Sequence, residues 1–505
     1  MTVRWRWLLL AVLACATAVA HAHTGGGAFI LLLPTHLYII GGAAVVAVSF
    51  VLIALLPAER FVSVQRLTRR LGVRPGSGVP RQWIAVAPSL ASLLLVTLLI
   101  VAGYRGSRDP LANPLPLFVW SVWWIGFTYL HAVFGNLWVH VNPWNGLYRL
   151  ATALPGAESW RDRPPLRYPR GAGYWTAGLS FFVFAWFELI YPAPADPALL
   201  AGMVASYLLA NFVGMLLFGE WAWLQYGEAF SVFFRVISWL SPLGLRAAGG
   251  ECPGCEIECR VSPNCLNCCQ CLRDERSRVL DVTLPTLNLL SVRALSPSGV
   301  AFILLALAAV SFDGLSRTFV WLDLIGVNPL DYPGRTALII PNTAGFLGVF
   351  ALLTLAYAIV LTLARGFSGI RGGAGRLSGT FVLSVVPIAF GYHFAHYLPV
   401  FLVDIQYALR SVSDPFGLGW DLFGTRDRPV ITSFLSDPFK VYAVWYAQIS
   451  IIVTAHVAAV YIAHVLTLRL TKDARAAVRS QLPMVLLMIG YTMFGLWLLS
   501  TPSIG

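Results

Sequence analysis

The sequence has few charged residues. Asp, Glu, Lys and Arg make up 11% of the 505 residues, whereas hydrophobic residues make up 58% and the mean hydropathy is +0.72. Soluble globular domains carry about 25% charged residues, so this composition excludes that class of protein. Apolar runs of about 18 residues or more recur along the chain, and each can cross the ~30 Å hydrocarbon core of a bilayer. We therefore predict an all-α polytopic membrane protein with the lipid bilayer as its main partner.

Acidic residues are scarcer than basic ones, with 23 Asp and Glu against 35 Lys and Arg, a formal net charge of +12. In a soluble protein this excess would suggest nucleic-acid binding. Here the basic residues concentrate in loops between apolar runs, as the positive-inside rule requires of the cytoplasmic side. We therefore predict no nucleic-acid partner.

The first 22 residues have the pattern of a signal peptide. Arg4 and Arg6 precede an apolar run, and Ala20-His21-Ala22 forms an A-x-A cleavage site. An uncleaved anchor is the alternative. Cleavage would leave a mature chain that begins outside the bacterial inner membrane.

Ten spans are predicted in the mature chain from its long apolar runs. They lie at about 36–57, 83–103, 115–139, 173–191, 198–218, 298–316, 342–364, 378–403, 442–468 and 482–500. The loops richest in Arg and Lys all fall on one side, which we predict to be cytoplasmic, with both mature termini periplasmic. The chain thus divides into spans one to five (23–245), a cytoplasmic loop (246–285) and spans six to ten (286–505).

That cytoplasmic loop contains seven of the eight cysteines, all within the 21 residues 251–271. Cysteines that cluster at short fixed spacings are typical of metal ligands. An iron–sulfur cluster, which we favour, a zinc site and disulfides are the candidates, and a reducing cytoplasm disfavours the last. Cys269 is an additional thiol. The predicted metal ligands are Cys252, Cys255, Cys259, Cys265, Cys268 and Cys271.

The segments CPGCEIEC and NCLNCCQC resemble the cytoplasmic ferredoxin-type segment of polytopic iron–sulfur membrane proteins in the nitrous-oxide-respiration-regulator and quinol-dehydrogenase group. The resemblance implies a cytoplasmic iron–sulfur centre. In that group the first half usually ends Cys-Pro, whereas Arg260 follows Cys259 here. Seven cysteines also fit one cluster better than two.

Histidines within the predicted spans form the second candidate site. Ionisable groups in a membrane interior are costly and are functional by default. His393 and His396 share a helical face at i,i+3 spacing, and His456 and His131 lie at similar depth. They could hold haem b or copper, form a quinone site or relay protons. Interhelical hydrogen bonding is the alternative. Acidic residues at outer span ends could join them, namely Glu188, Asp313 and Asp404.

Two local features bear on mechanism. The aromatic, amphipathic segment 220–244 is predicted to lie along the inner membrane interface and to hold the metal centre near it. Pro387 and Gly391, beside His393, could break span eight, as discontinuous helices do in transporters.

Segments along nearly the whole mature chain, including GNLWVHVNPWNGLYR, DPFGLGWDLFGT and WYAQISIIVTAHVAAVYIAH, resemble a bacterial family of polytopic membrane proteins commonly labelled fenitrothion hydrolase. The label implies phosphotriester hydrolysis, which a metal-activated water normally performs. The cysteine loop is an addition to that family's pattern.

The pairing of clustered cysteines with intramembrane histidines favours a redox component of the inner membrane. Electrons would pass between the cytoplasmic metal centre and a haem, metal, quinone or redox partner protein near the histidines. The first alternative is a transporter or metal-handling permease with a zinc- or copper-binding loop. The second is the hydrolase that the family label implies.

Overall fold

Helices make up 76% of the computed structural model. It describes residues 35–57, 69–73, 81–157, 160, 163–169, 171–247, 278–328, 334–368, 373–432, 437–471 and 473–501. The predicted signal peptide and all the predicted cysteine ligands lie outside these ranges.

The first part of the chain contains both long and short helices. The long ones are α1 (Thr35–Leu55), α2 (Arg81–Arg105), α3 (Pro114–Phe134) and, later, α7 (Pro197–Phe218). Within α3, residues Leu117–Phe127 are π-helical. The shorter helices are α4 (Trp138–Val141), α5 (Pro143–Ala151), α6 (Trp175–Leu189) and α8 (Ala229–Ser238), the last preceded by a helical turn at Glu220–Ala222 and a π-helical turn at Trp223–Gly227.

The second part contains α9 (Pro297–Ser316), α10 (Phe319–Leu324), α11 (Ile339–Ser368), α12 (Ala374–Phe381), α13 (Val385–Ser411), α14 (Pro438–Leu470) and α15 (Ala474–Ser500). Short 3-10 helices lie at Leu287–Ser291, Arg335–Leu338 and Val382–Ser384.

The predicted polytopic architecture is confirmed at this level. Within the described ranges, nine helices are long and apolar enough to cross a membrane, and they coincide with nine of the ten predicted spans. The remaining span corresponds to α6, whose 15 residues extend only about 22 Å at 1.5 Å per residue. Many exposed side chains on the long helices are Leu, Ile and Val, such as Leu94 and Leu352, as a lipid-facing surface requires.

A three-stranded antiparallel sheet, absent from the sequence prediction, joins two distant loops. Its strands are β1 (Arg69–Val73), β2 (Leu243–Ala247) and β3 (Arg278–Val282), in the order β1-β3-β2. The cysteine segment is therefore inserted between two paired strands, and the loop after α1 is paired with the same hairpin stem. Both loops lie at one end of the bundle, which we name the sheet end.

The predicted interfacial segment 220–244 instead enters the protein interior. All ten residues of α8 are buried, and they pack against α3 and α6. Its polar side chains find partners inside the bundle: the Arg235 guanidinium donates to the side chain and backbone carbonyls of Gln225, both at 2.7 Å. Because these internal partners replace water, amphipathicity here does not indicate a surface helix.

Span eight changes its helix type just before Pro387 and not at Gly391: the 3-10 turn Val382–Ser384 separates α12 from α13, and α13 is continuous from Val385 through Gly391. Pro387 lies in the first turn, where a missing N–H costs no intrahelical bond. A Cβ on Gly391 would lie 2.6 Å from the Ala455 Cβ, so this glycine permits close packing of α13 on α14. The internal proline is Pro399, and the Ala395 carbonyl one turn before it accepts a hydrogen bond from Gln448 at 2.7 Å.

Candidate functional site

An ion-paired carboxylate lies inside the bundle where α9 meets α13. The Nε2 atom of His396 is 2.8 Å from Oδ2 of Asp313, whose side chain is 3% exposed. The Arg317 guanidinium approaches the other oxygen, with Nε at 3.1 Å and a terminal nitrogen at 2.9 Å. Both carboxylate oxygens are therefore engaged by basic groups, as a buried charge requires. Asp313, Arg317 and His396 are called the ion cluster below.

Local sequence explains how α9 supplies two members of this cluster. Asp313 and Arg317 are four residues apart at the carboxyl end of α9, so they lie on one helical face. The Arg317 side chain is half-exposed at the protein surface, whereas the Asp313 side chain is buried and faces α13. The i,i+4 spacing of Asp313 and Arg317 is the sequence signal that could have identified Arg317. It was missed because the predicted site contained only histidines and acidic residues.

Tyr397 connects the ion cluster to a second carboxyl group. Its hydroxyl donates to Oε1 of Glu188 on α6 at 3.4 Å. Its ring centroid lies 4.8 Å from those of both His393 and His396. Asp313 contacts His396 directly, as predicted for an acidic residue that joins the histidines. Glu188 is connected to the histidines through Tyr397, which the sequence prediction did not include.

His393 faces a small cavity next to this connection. About 30 Å³ of it is open to the centres of water molecules, enough for one or two waters. Trp124, Glu188, His393 and Tyr397 line one part, and apolar side chains of α8, α9 and α13 line the rest. His393 is 4% exposed, and its Nε2 has no hydrogen-bond partner among the described residues.

Trp124 forms part of the wall of this cavity and belongs to the π-helical part of α3. Its ring lies perpendicular to that of His393 at a centroid distance of 4.8 Å. π-helical turns widen a helix locally and occur often at functional sites. This local geometry has no simple pattern in the sequence, so the contribution of α3 was not predicted.

His456 occupies a separate position deeper between α14 and α15. Its Nδ1 lies 2.8 Å from the Ile452 carbonyl, so Nδ1 carries the proton of the neutral ring. Its Nε2 has no partner within the described ranges. The ring of Tyr491 lies nearby, with its centroid 6.2 Å from that of His456.

His131 and Asp404 have local partners elsewhere. The Nδ1 of His131 lies 2.7 Å from the Phe127 carbonyl, and its Nε2 accepts from the backbone N–H of Trp138 at 3.0 Å. These bonds hold the reversal after α3, where Gly135 has a φ of 88°. Asp404 accepts from Ser121 at 2.7 Å and links α13 to α3.

The hydrogen bonds of the histidines decide which of their nitrogens could bind a cofactor. Within the described residues, no group of three or more His, Cys, Asp or Glu side chains could hold a metal ion. Axial ligation of haem needs a free nitrogen on each imidazole, whereas both nitrogens of His131 are bonded and Nε2 of His396 is occupied by Asp313. Nε2 of His393 and Nε2 of His456 have no hydrogen-bond partner in the described part of the chain, so haem b or copper at these two histidines stays a prediction. The predicted iron–sulfur or zinc site lies outside the described residues.

Comparison of this chain with models of known protein families, with curated proteins and with solved structures found no match. The functional argument therefore depends on the chemistry of the residues themselves.

Proposed function

We propose that this protein is a membrane redox component in which proton transfer at the ion cluster accompanies electron transfer at the cysteine segment. The observation that supports it best is the Asp313–His396 pair beside the cavity that Glu188 and His393 line. An imidazole, a carboxylate and a tyrosine hydroxyl at such short separations can accept and pass protons.

A quinol is the proposed electron donor. Its oxidation releases two electrons and two protons, so the site must accept protons as electrons leave. Glu188 and the free Nε2 of His393 are suitable acceptors, and the apolar walls suit a lipid-soluble ring. The two electrons would pass one after the other to a cysteine-bound iron–sulfur centre at the sheet end, and a redox partner protein would remove each electron from that centre in turn. A quinol ring is larger than the present cavity, so binding requires the side chains of its walls to move.

The experiment is anaerobic purification in detergent, followed by metal analysis, an absorption spectrum and electron paramagnetic resonance. We expect iron with acid-labile sulfide and a spectrum that a soluble quinol analogue bleaches. Cys265→Ser should abolish the spectrum, whereas the matched variant Cys269→Ser, which alters the additional thiol, should retain it. Zinc alone with a featureless visible spectrum would overturn the redox proposal.

A membrane transporter is the second candidate, and α8 favours it. Glu228 caps this helix and also accepts hydrogen bonds from Tyr207 and, at 3.3 Å, from the Trp138 indole. Because Tyr207 lies midway along α7, α8 begins at about the middle of a span. Half-helices that begin at the midplane are typical of transporter binding sites. Uptake of zinc or copper ions by proteoliposomes, above that of empty liposomes, would support this function. The phosphotriester hydrolysis that the family label implies stays a prediction, tested by turnover with purified protein.

A further inference from the structure

Buried polar side chains continue from the ion cluster toward the sheet end. The rings of His396 and Tyr392 are parallel with centroids 6.5 Å apart, and Tyr392 lies 6.2 Å from Tyr491. Tyr491 lies 6.2 Å from His456, and its hydroxyl is 2.6 Å from that of Ser311. These four residues, Tyr392, Tyr491, Ser311 and His456, are called the polar file.

Two polar atoms of the file have no partner among the described residues. They are the Tyr392 hydroxyl and Nε2 of His456, on side chains that are 2% and 1% exposed. Buried polar atoms are almost always hydrogen-bonded, and internal water is the usual partner when protein groups are not. Tyr392 and His456 are both neighbours of Tyr491. Water bound to the Tyr392 hydroxyl and to Nε2 of His456 would therefore join the file into one hydrogen-bonded chain.

Packing alone does not account for the Tyr392 hydroxyl. Gly495 on α15 accommodates the ring, since a Cβ there would lie 2.8 Å from the ring carbon Cε2. A phenylalanine would fill the same space. Burial of a hydroxyl without a protein partner costs free energy, so its presence indicates a ligand such as water.

Another histidine, outside the polar file, lies further toward the sheet end on α14. His464 follows His456 by eight residues, about 12 Å along a helix, and its Nδ1 is 3.1 Å from the Gln481 side-chain carbonyl. Arg469, one turn further, donates to the Leu290 carbonyl in the segment after β3. The end of α14 therefore lies near the sheet, and the ion cluster lies near the opposite end, where α9 ends.

We propose that the polar file conducts protons between the ion cluster and the sheet end of the bundle. This rests on the proposed role of the ion cluster in proton exchange. Each imidazole, hydroxyl or water accepts a proton on one side and releases one on the other, so one positive charge crosses per proton. No bond to a substrate forms or breaks.

The test uses purified full-length protein in liposomes that enclose a pH-sensitive dye. Valinomycin and a potassium gradient impose a membrane potential, and no electron donor is present. We expect internal acidification above that of empty liposomes, a loss of this flux in Tyr392→Phe and a reduced flux in His456→Gln. Tyr357→Phe is the matched control, because Tyr357 is also a buried tyrosine but donates to the Ser378 carbonyl on α12, outside the file.

Tyr392→Phe removes no protein hydrogen bond, so its thermal stability in detergent should be no lower than that of the wild type. Flux no greater than that of empty liposomes would overturn the proposal, as would wild-type flux in Tyr392→Phe. Because the assay needs no electron transfer, its failure is distinct from that of the redox proposal, which the spectrum tests.

Discussion

His396 and Asp313, 83 residues apart in the sequence, meet at 2.8 Å between α13 and α9. The carboxylate also binds Arg317, so a buried acid is shared by two bases. An arrangement of this kind fixes two spans relative to each other and keeps ionisable groups inside the bundle.

Asp313→Asn should destabilise the protein. The substitution removes the charge that compensates Arg317 and alters the contact with His396, and loss of one partner of a buried pair costs on the order of 3 kcal/mol. The half-exposed Arg317 can be solvated in part, which reduces that cost. Thermal denaturation in detergent measures the change, with Asp323→Asn as the exposed control on α10. In the double variant with Arg317→Gln the two effects should be less than additive, and strict additivity would contradict the pairing.

Gly379→Ala should destabilise the contact between α12 and the segment before α9. The backbone N–H of Leu295 donates to the Gly379 carbonyl at 3.0 Å, and a Cβ on Gly379 would lie 1.9 Å from the Leu295 carbonyl oxygen. Backbone must move to relieve this clash, at a cost of about 2–3 kcal/mol. Gly375, on the same helix, has no atom within 4 Å of its added Cβ. Gly375→Ala should therefore leave the melting temperature unchanged or raise it, and equal effects of the two variants would refute the close approach.

Leu280→Pro should open the sheet, because β3 is the central strand and each proline removes a ladder hydrogen bond. Trypsin cleaves unpaired extended segments faster than paired strands, so a faster cleavage after Arg69 or Arg278, measured by limited proteolysis and mass spectrometry, reports the opening. Leu284→Pro, at an exposed position just beyond β3, is the control. Cleavage at the same rate in both variants would argue against the pairing.

Asp414, in the loop after α13, should make that loop sensitive to acid. Desolvation raises the pKa of this carboxyl, but the backbone N–H groups of Gly419 and Leu418 and the Arg426 guanidinium outweigh it, so the pKa lies below its ordinary value. The stabilisation is complete above the unfolded pKa of about 3.9 and is lost as pH falls through the lowered native pKa.

Hydrogen exchange of residues 413–426 at pH 6 and at about pH 3, corrected for intrinsic rates, tests this expectation. Protection should fall in acid in the wild type, and Asp414→Asn should show low protection at both pH values. Asp427→Asn alters an exposed carboxyl in the same loop and should behave as the wild type. Acid-resistant protection in the wild type would refute the role of Asp414.

The predicted spans agree with the structure because their signal is local. Hydrophobicity summed over about 20 consecutive residues decides whether a segment can cross a bilayer, whatever it packs against. The same signal placed His393, His396 and His456 within spans. It could not assign their partners, since His396 pairs with Asp313 while His456 lies beside Tyr491.

Amphipathicity was misleading in α8 because polarity in a sequence does not reveal the partner. The amphipathic pattern of residues 220–244 predicted a position along the membrane interface, yet Glu228 and Arg235 of this segment are buried and hydrogen-bonded inside the bundle. The sheet was missed for a related reason: its three strands are five residues long and come from distant loops, so only their pairing makes them strands.

The sequence by itself determined the membrane class, nine of the spans and the clustering of cysteines, because composition, apolar length and ligand spacing are properties of neighbouring residues. Tertiary structure decided which ionisable groups meet. Contacts such as Asp313 with His396 and Tyr397 with Glu188 join different spans, and close packing of whole helices sets their distances.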